Sequence, residues 1–96
     1  MVGSNVRINP ENIVVRREVY STRVRDDVVF FNEDTGRYCA TGTVGADIWE
    51  LMEAPISVGE ICAALLERYD VEQEICFSEV ARFISELSAE GLAEVS

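Results

Sequence analysis

The order of apolar and polar positions divides the chain in two: short strands up to about residue 41, helices beyond it. Asn9-Pro10-Glu11-Asn12 reads as a turn or a single helical turn, because Asn9 can cap and Pro10 suits the first helical position. Ile13, Val14 and Val15 follow as a short apolar anchor. Val19-Tyr20-Ser21-Thr22-Arg23-Val24 has the β-branched and aromatic content of a strand. Asp26-Asp27 marks a turn, and Val28-Val29-Phe30-Phe31 is a compact apolar strand. Asn32-Glu33-Asp34-Thr35-Gly36 is a second turn, ending in a glycine that tolerates positive φ. Arg37, Tyr38, Cys39, Ala40 and Thr41 form the third strand, which Gly42 ends. Two short connections between three strands predict an antiparallel meander.

The period then becomes helical. A helix opening at Thr43 or Gly45 carries Val44, Ile48, Trp49, Leu51 and Met52, and Ala54-Pro55 breaks it. Ser57 and Glu60 have capping-box spacing. Behind them Ile61, Leu65, Leu66 and Tyr69 form one face of a second helix, and Cys62 falls on that apolar side. A third helix is predicted over residues 72–90, with Ile75, Cys76, Val80, Phe83, Ile84 and Leu87 inward. Gly91 is the natural residue to follow it. Strands first and helices after predict an α+β fold: a three-stranded antiparallel sheet followed by three helices, winged helix-turn-helix-like. At 96 residues, a single domain over 1–96 is expected, with residues 1–7 flexible.

Composition then narrows the chemistry. There are 18 acids against 8 bases, and every base is arginine. With no histidine and no lysine, imidazole acid–base chemistry, His-ligated zinc and Schiff-base lysines are excluded. Residues 1–43 hold six arginines and six acids, so the net charge of −10 arises entirely from residues 44–96. That field repels phosphate backbones and anionic membrane surfaces, which argues against nucleic acid and membrane as partners. The predicted third helix carries five glutamates and one arginine, Arg82, a poor match to DNA readout. Cys39, Cys62 and Cys76 are odd in number, widely spaced and without a CxxC pair, which points to a reducing, cytoplasmic setting. No signal-peptide-like or membrane-spanning run is present. None of the thiols has a histidine base, and the paired acids sit at turns and helix starts, where the helix dipole accounts for them. No catalytic residue, metal site or cofactor is expected.

What remains is recognition of a peptide or protein. If residues 37–41 lie at the sheet edge, their backbone can pair with an extended peptide. The third helix then supplies the other wall, with Cys76, Val80 and Phe83 as apolar contacts and Glu79 and Arg82 as polar ones. Plain core packing of Val80 and Phe83 is the competing explanation. Two other classes compete as well: a winged-helix DNA-binding regulator, and a structural subunit whose edge is paired by a second copy.

The ordered set Val28-Val29-Phe30-Phe31-Asn32, Thr35-Gly36-Arg37-Tyr38, Val44-Gly45-Ala46-Asp47-Ile48-Trp49-Glu50-Leu51, Val58-Gly59-Glu60-Ile61, Tyr69-Asp70-Val71 and Val80-Ala81-Arg82-Phe83-Ile84-Ser85-Glu86-Leu87 resembles the PqqD-like family over roughly residues 8–96. Members are non-catalytic RiPP recognition elements, which bind the leader of a ribosomally made precursor peptide and present its core to a processing enzyme. The resemblance implies that the leader adds as a strand to the third strand, residues 37–41, and lies against the helix face around Cys76, Glu79, Val80 and Phe83. It also implies separate enzymes as partners. In a lasso-peptide pathway, favoured on general likeness, these are a cysteine-protease-like leader peptidase and a cyclase. In pyrroloquinoline quinone biosynthesis, the alternative, the partner is a radical SAM enzyme. One departure stands out: the family's usual Leu-Asn pair after the third strand is Thr41-Gly42 here.

Overall fold

A computed structural model describes residues 8–17, 21–25, 27–32 and 36–96, with backbone alone at positions 23, 30, 32, 37, 38 and 39. The flexible start expected of residues 1–7, and the turn residues 26 and 33–35, lie outside the described residues, as do Val19 and Tyr20 of the first predicted strand. The elements are β1 (Ile13–Arg16), β2 (Ser21–Val24), β3 (Asp27–Asn32), β4 (Arg37–Ala40), α1 (Gly42–Leu51), β5 (Ile56–Ser57), α2 (Val58–Arg68), α3 (Gln73–Ala89) and β6 (Ala93–Val95).

The predicted meander is the antiparallel sheet β2-β3-β4. Its register runs Val24↔Asp27 and Thr22↔Val29 on one side of β3, and Phe30↔Cys39 and Asn32↔Arg37 on the other. The hairpin between β2 and β3 places Arg25 at φ 58, which a non-glycine residue adopts only in a tight connection.

A second antiparallel sheet, β5-β1-β6, differs from the sequence reading. The apolar anchor Ile13, Val14 and Val15 lies in its central strand, β1, with Val14 fully buried. Around β1 the ends of all three helices are tied. Arg16 N–H donates to Met52 O just past α1 at 2.9 Å, and Val58 N–H at the start of α2 donates to Asn12 O at 2.9 Å. Arg17 N–H donates to Leu92 O beyond α3 at 2.9 Å. The Arg16 guanidinium lies over the Trp49 ring, 5.3 Å from its centroid, and donates to Trp49 O. That combination caps the end of α1 and shields a buried indole.

The helices start and stop for local reasons. Ser57 accepts from Glu60 N–H at 3.1 Å while the Glu60 carboxylate accepts from Ser57 N–H at 3.1 Å, the reciprocal capping box. The Ser57 N–H, joined by the Ser57 hydroxyl donating to Glu60 Oε1 at 3.0 Å, holds the Glu60 carboxyl below its ordinary value. After α3, Gly91 takes φ 74, and Leu92 N–H bonds back to Leu87 O at 2.8 Å. Cys76, Val80, Ile84 and Leu87 form the buried stripe of α3. Ile75, predicted inward, is 51% exposed. One residue is about 100° of helix turn, so it lies off the stripe that Cys76 begins. Trp49, Met52, Ile61 and Val58 complete the centre of the core.

Cys62 and Cys76 are free and buried, one on α2 and one on α3. The Cys76 thiol donates to Cys62 O at 3.9 Å. Burial pushes the Cys62 thiol up to about 11, and the neighbouring Cys76 thiol adds to the rise.

Two outcomes follow from these contacts. Ser57→Ala removes the cap from α2 and should cost about 1 kcal/mol, a fall of roughly 4–8 °C in Tm for a domain of this size. A thermal melt by circular dichroism checks it. The raised Cys62 pKa favours the protonated thiol in the folded state. Its contribution is therefore fully present below the ordinary value of 9.0 and lost as pH rises toward about 11. Urea unfolding at pH 7 to 11 should show a steeper alkaline loss of stability in the wild type than in Cys62→Ala; equal slopes would contradict it.

Candidate functional site

β4 is an outer strand of its sheet, so one side of it has no neighbouring strand among the described residues. Which backbone groups that side presents follows from the ladder. Thr41 N–H donates to Val28 O at 3.1 Å, and Val28 N–H donates to Thr41 Oγ1 at 3.1 Å. The 28/41 pair is thus a hydrogen-bonded one, and in an antiparallel ladder such pairs alternate. Positions 39 and 37 therefore direct their N–H and C=O toward β3, while Tyr38 and Ala40 direct theirs away. Ala40 is exposed. The edge is short: Gly42, at φ 77, turns the chain into α1.

Thr41 stands at the N-cap position of α1 without capping it. Its hydroxyl is engaged instead with Val28 N–H and donates to Gly42 O at 2.9 Å. The residue that closes the strand is thereby held to β3 by both main chain and side chain.

α1, α2 and α3 enclose an apolar pocket of about 230 Å³. Val44 and Ile48 of α1 form one wall, and Cys76, Glu79 and Val80 of α3 another. Leu65, Tyr69 and Val71 close the end. The Tyr69 hydroxyl donates to Asp47 Oδ2 at 2.6 Å, and Asp47 Oδ1 lies 3.4 Å from the Arg68 guanidinium. This short network ties the end of α2 to α1 and fixes the Tyr69 ring as a wall. Val44, 43% exposed, carries the apolar surface of the pocket outward.

The structure divides the ten predicted site residues into groups. Cys76 and Val80 are core residues whose surfaces form the pocket floor, and Glu79 is on its exposed rim. Arg82 lies outside the pocket, exposed and 3.0 Å from Glu79 Oε1. Phe83 is half-buried and rests on Gly45 of α1. Arg37, Tyr38, Cys39 and Ala40 are the edge strand, and Thr41 is its anchor. Sequence reasoning missed Val44, Ile48, Leu65, Tyr69 and Val71 as lining. Helical periodicity marks them as inward but cannot say which inward positions leave a space between them. A larger, open depression of about 420 Å³ lies toward β2 instead, bounded by Arg16, Ser21, Thr22, Val28, Trp49, Glu50 and Glu53. Its lining mixes charged and hydroxyl side chains with Val28 and Trp49. Among the described residues no group of three or more Cys, Asp or Glu is placed to hold a metal ion, and no helix is long and apolar enough to cross a membrane.

Residues 27–93 match a family described as coenzyme PQQ synthesis protein D, PqqD. No curated protein matches the sequence. Among solved structures the chain is similar to TbiB1 in complex with the TbiA(beta) leader peptide. The TM-score is 0.75 at 28% sequence identity, covering 83% of this chain and 94% of that one. The family match takes in β3, β4, all three helices and both faces of the candidate site, and the chain belongs to the PqqD family.

Proposed function

We propose that this protein is a RiPP recognition element: it binds the leader segment of a ribosomally made precursor peptide and performs no catalysis itself. One observation carries the reading. An open strand edge, with Tyr38 and Ala40 facing outward, is joined through Thr41, Gly45 and Phe83 to an apolar pocket walled by α1 and α3. An extended peptide meets both by adding a strand to β4 and continuing over α3. The likeness to a leader-bound TbiB1 supports the same reading.

The energetics divide the work. Two outward residues offer at most two donors and two acceptors, each bond contributing about 0.5–1.5 kcal/mol net. A disordered leader loses conformational entropy on pairing, so those bonds alone bind weakly. Affinity and selectivity then come from an apolar or aromatic leader side chain in the pocket. In this reading the protein works in the cytoplasm and hands the leader to separate enzymes. We favour a leader peptidase of the cysteine-protease type and a cyclase, as in lasso-peptide formation; a radical SAM enzyme of quinone biosynthesis is the alternative. A DNA-binding role is disfavoured because α3 carries Glu74, Glu79 and Glu86, and its one cation, Arg82, is paired with Glu79.

The test is a fluorescence-anisotropy titration with the labelled leader of the precursor encoded beside this gene. Wild-type protein should bind saturably, and the affinity should survive moderate salt. Ala40→Pro removes an outward donor, and proline is tolerated on an edge strand whose N–H faces solvent. It should stay folded and bind roughly 2- to 12-fold more weakly, the loss of ~0.5–1.5 kcal/mol expected for one pairing bond. Val44→Asp, at an exposed pocket wall, should weaken binding to a similar degree, while exposed Glu94→Ala should not. Folded Ala40→Pro and Val44→Asp proteins that both bind like the wild type would exclude this site.

A further inference from the structure

We infer that Gly45 is the positioning residue that sets the spacing between the edge strand and the α3 wall; the inference rests on the leader-binding reading. Gly45 is buried inside α1, at a helical position where alanine is intrinsically the better residue. It has no turn to make, and the reason for glycine is steric. A Cβ there would lie 2.9 Å from Thr41 Cβ, and 3.3 Å from Phe83 Cε1 and Cζ. The first distance is closer than real Cβ contacts come, and the second is tight.

The two neighbours differ in how they can yield. The Phe83 ring can tilt by a few tenths of an ångström. Thr41 Cβ is attached directly to the backbone, and that backbone is pinned: its N–H is on Val28 O, and its hydroxyl holds Val28 N–H. A methyl at position 45 therefore moves the end of β4 against β3, immediately beside the outward-facing Ala40. Gly45 is also flanked on α1 by the pocket residues Val44 and Ile48. The last residue of the edge and the aromatic of α3 thus converge on one hydrogen atom of α1. The missing side chain is what lets a single extended peptide reach both the edge and the pocket.

The experiment compares Gly45→Ala with Gly59→Ala, a second helical glycine whose added Cβ would make only an ordinary 3.4 Å contact with Pro10 O. Two readouts are taken: leader affinity by anisotropy, and amide hydrogen exchange at Thr41. Gly45→Ala should keep the native circular dichroism spectrum, exchange the Thr41 amide at least ~10-fold faster and bind leader at least ~10-fold more weakly. Gly59→Ala should change neither. Wild-type exchange and wild-type affinity in folded Gly45→Ala overturn the inference. Should Gly45→Ala not fold, Gly45→Ala/Phe83→Leu, which gives the methyl room on the α3 side, is measured against Phe83→Leu alone. The double variant should show the same two losses, and identical behaviour of the pair overturns the inference. A wild-type protein that binds no leader refutes the functional reading, and the exchange result alone then decides whether Gly45 positions the edge.

Discussion

The clasp between Thr41 and Val28 is the constraint on which the candidate site depends. It makes 28/41 a hydrogen-bonded pair, and the alternation of an antiparallel ladder does the rest: Tyr38 and Ala40 must turn their backbone outward. The same clasp fixes where α1 begins, because Thr41 both follows directly on β4 and is the helix N-cap. Thr41 gives up its capping bond to do this, since its hydroxyl is spent on Val28 N–H. The phase of the edge and the placement of the helix above it are therefore one decision, taken at one residue. Thr41-Gly42 lies at this junction, where the Thr41 hydroxyl closes the strand against Val28.

A second constraint acts at the opposite end of the helices. β1 and its flanking residues gather the end of α1, the start of α2 and the segment after α3 through main-chain bonds to Met52, Val58 and Leu92. Helices fixed at these ends can differ in spacing only at their others, where Val44, Gly45 and Cys76 lie. The pocket sits in that region, closed at its end by the Tyr69–Asp47–Arg68 network. Asp47 is the acid that this arrangement uses; the other acids of residues 44–96 described by the same surface, such as Glu67, Glu74 and Glu86, are on exposed or rim positions and set the field around it.

Much of this was legible in the sequence, and the reason is locality. The capping box at Ser57 and Glu60, the glycine after α3 and the meander strands are each dictated by residues within a few positions of one another. The stripe Cys76, Val80, Ile84, Leu87 follows from helix geometry alone. The second sheet was not legible. β5 has two residues and β6 three, too few for any period, and both exist only because β1 lies between them. Ile13, Val14 and Val15 read as an anchor because three apolar residues in a row are too few to announce a central strand. The site was half legible for the same cause: the edge is a property of chain order, whereas a pocket is a gap between three helices. Val44 and Tyr69 carry no mark that separates a wall from a core position.

The two halves of the site also differ in what they can recognise. A backbone edge is indifferent to sequence and to charge, and four residues of it are too few to hold a partner or to invite uncontrolled strand pairing. A pocket of about 230 Å³ is selective but admits little more than one side chain. Neither suffices alone. Their combination favours a partner that is extended, unstructured before it binds and marked by an apolar residue at a set distance from its pairing segment. Folded partners fail the first condition and featureless linkers fail the last. On the proposed reading that distance is set within this chain, by a pinned threonine and a phenylalanine packed on glycine, so the flexibility is the partner's to bring. Order on one side and disorder on the other is the arrangement in which a weak edge becomes selective without becoming sticky.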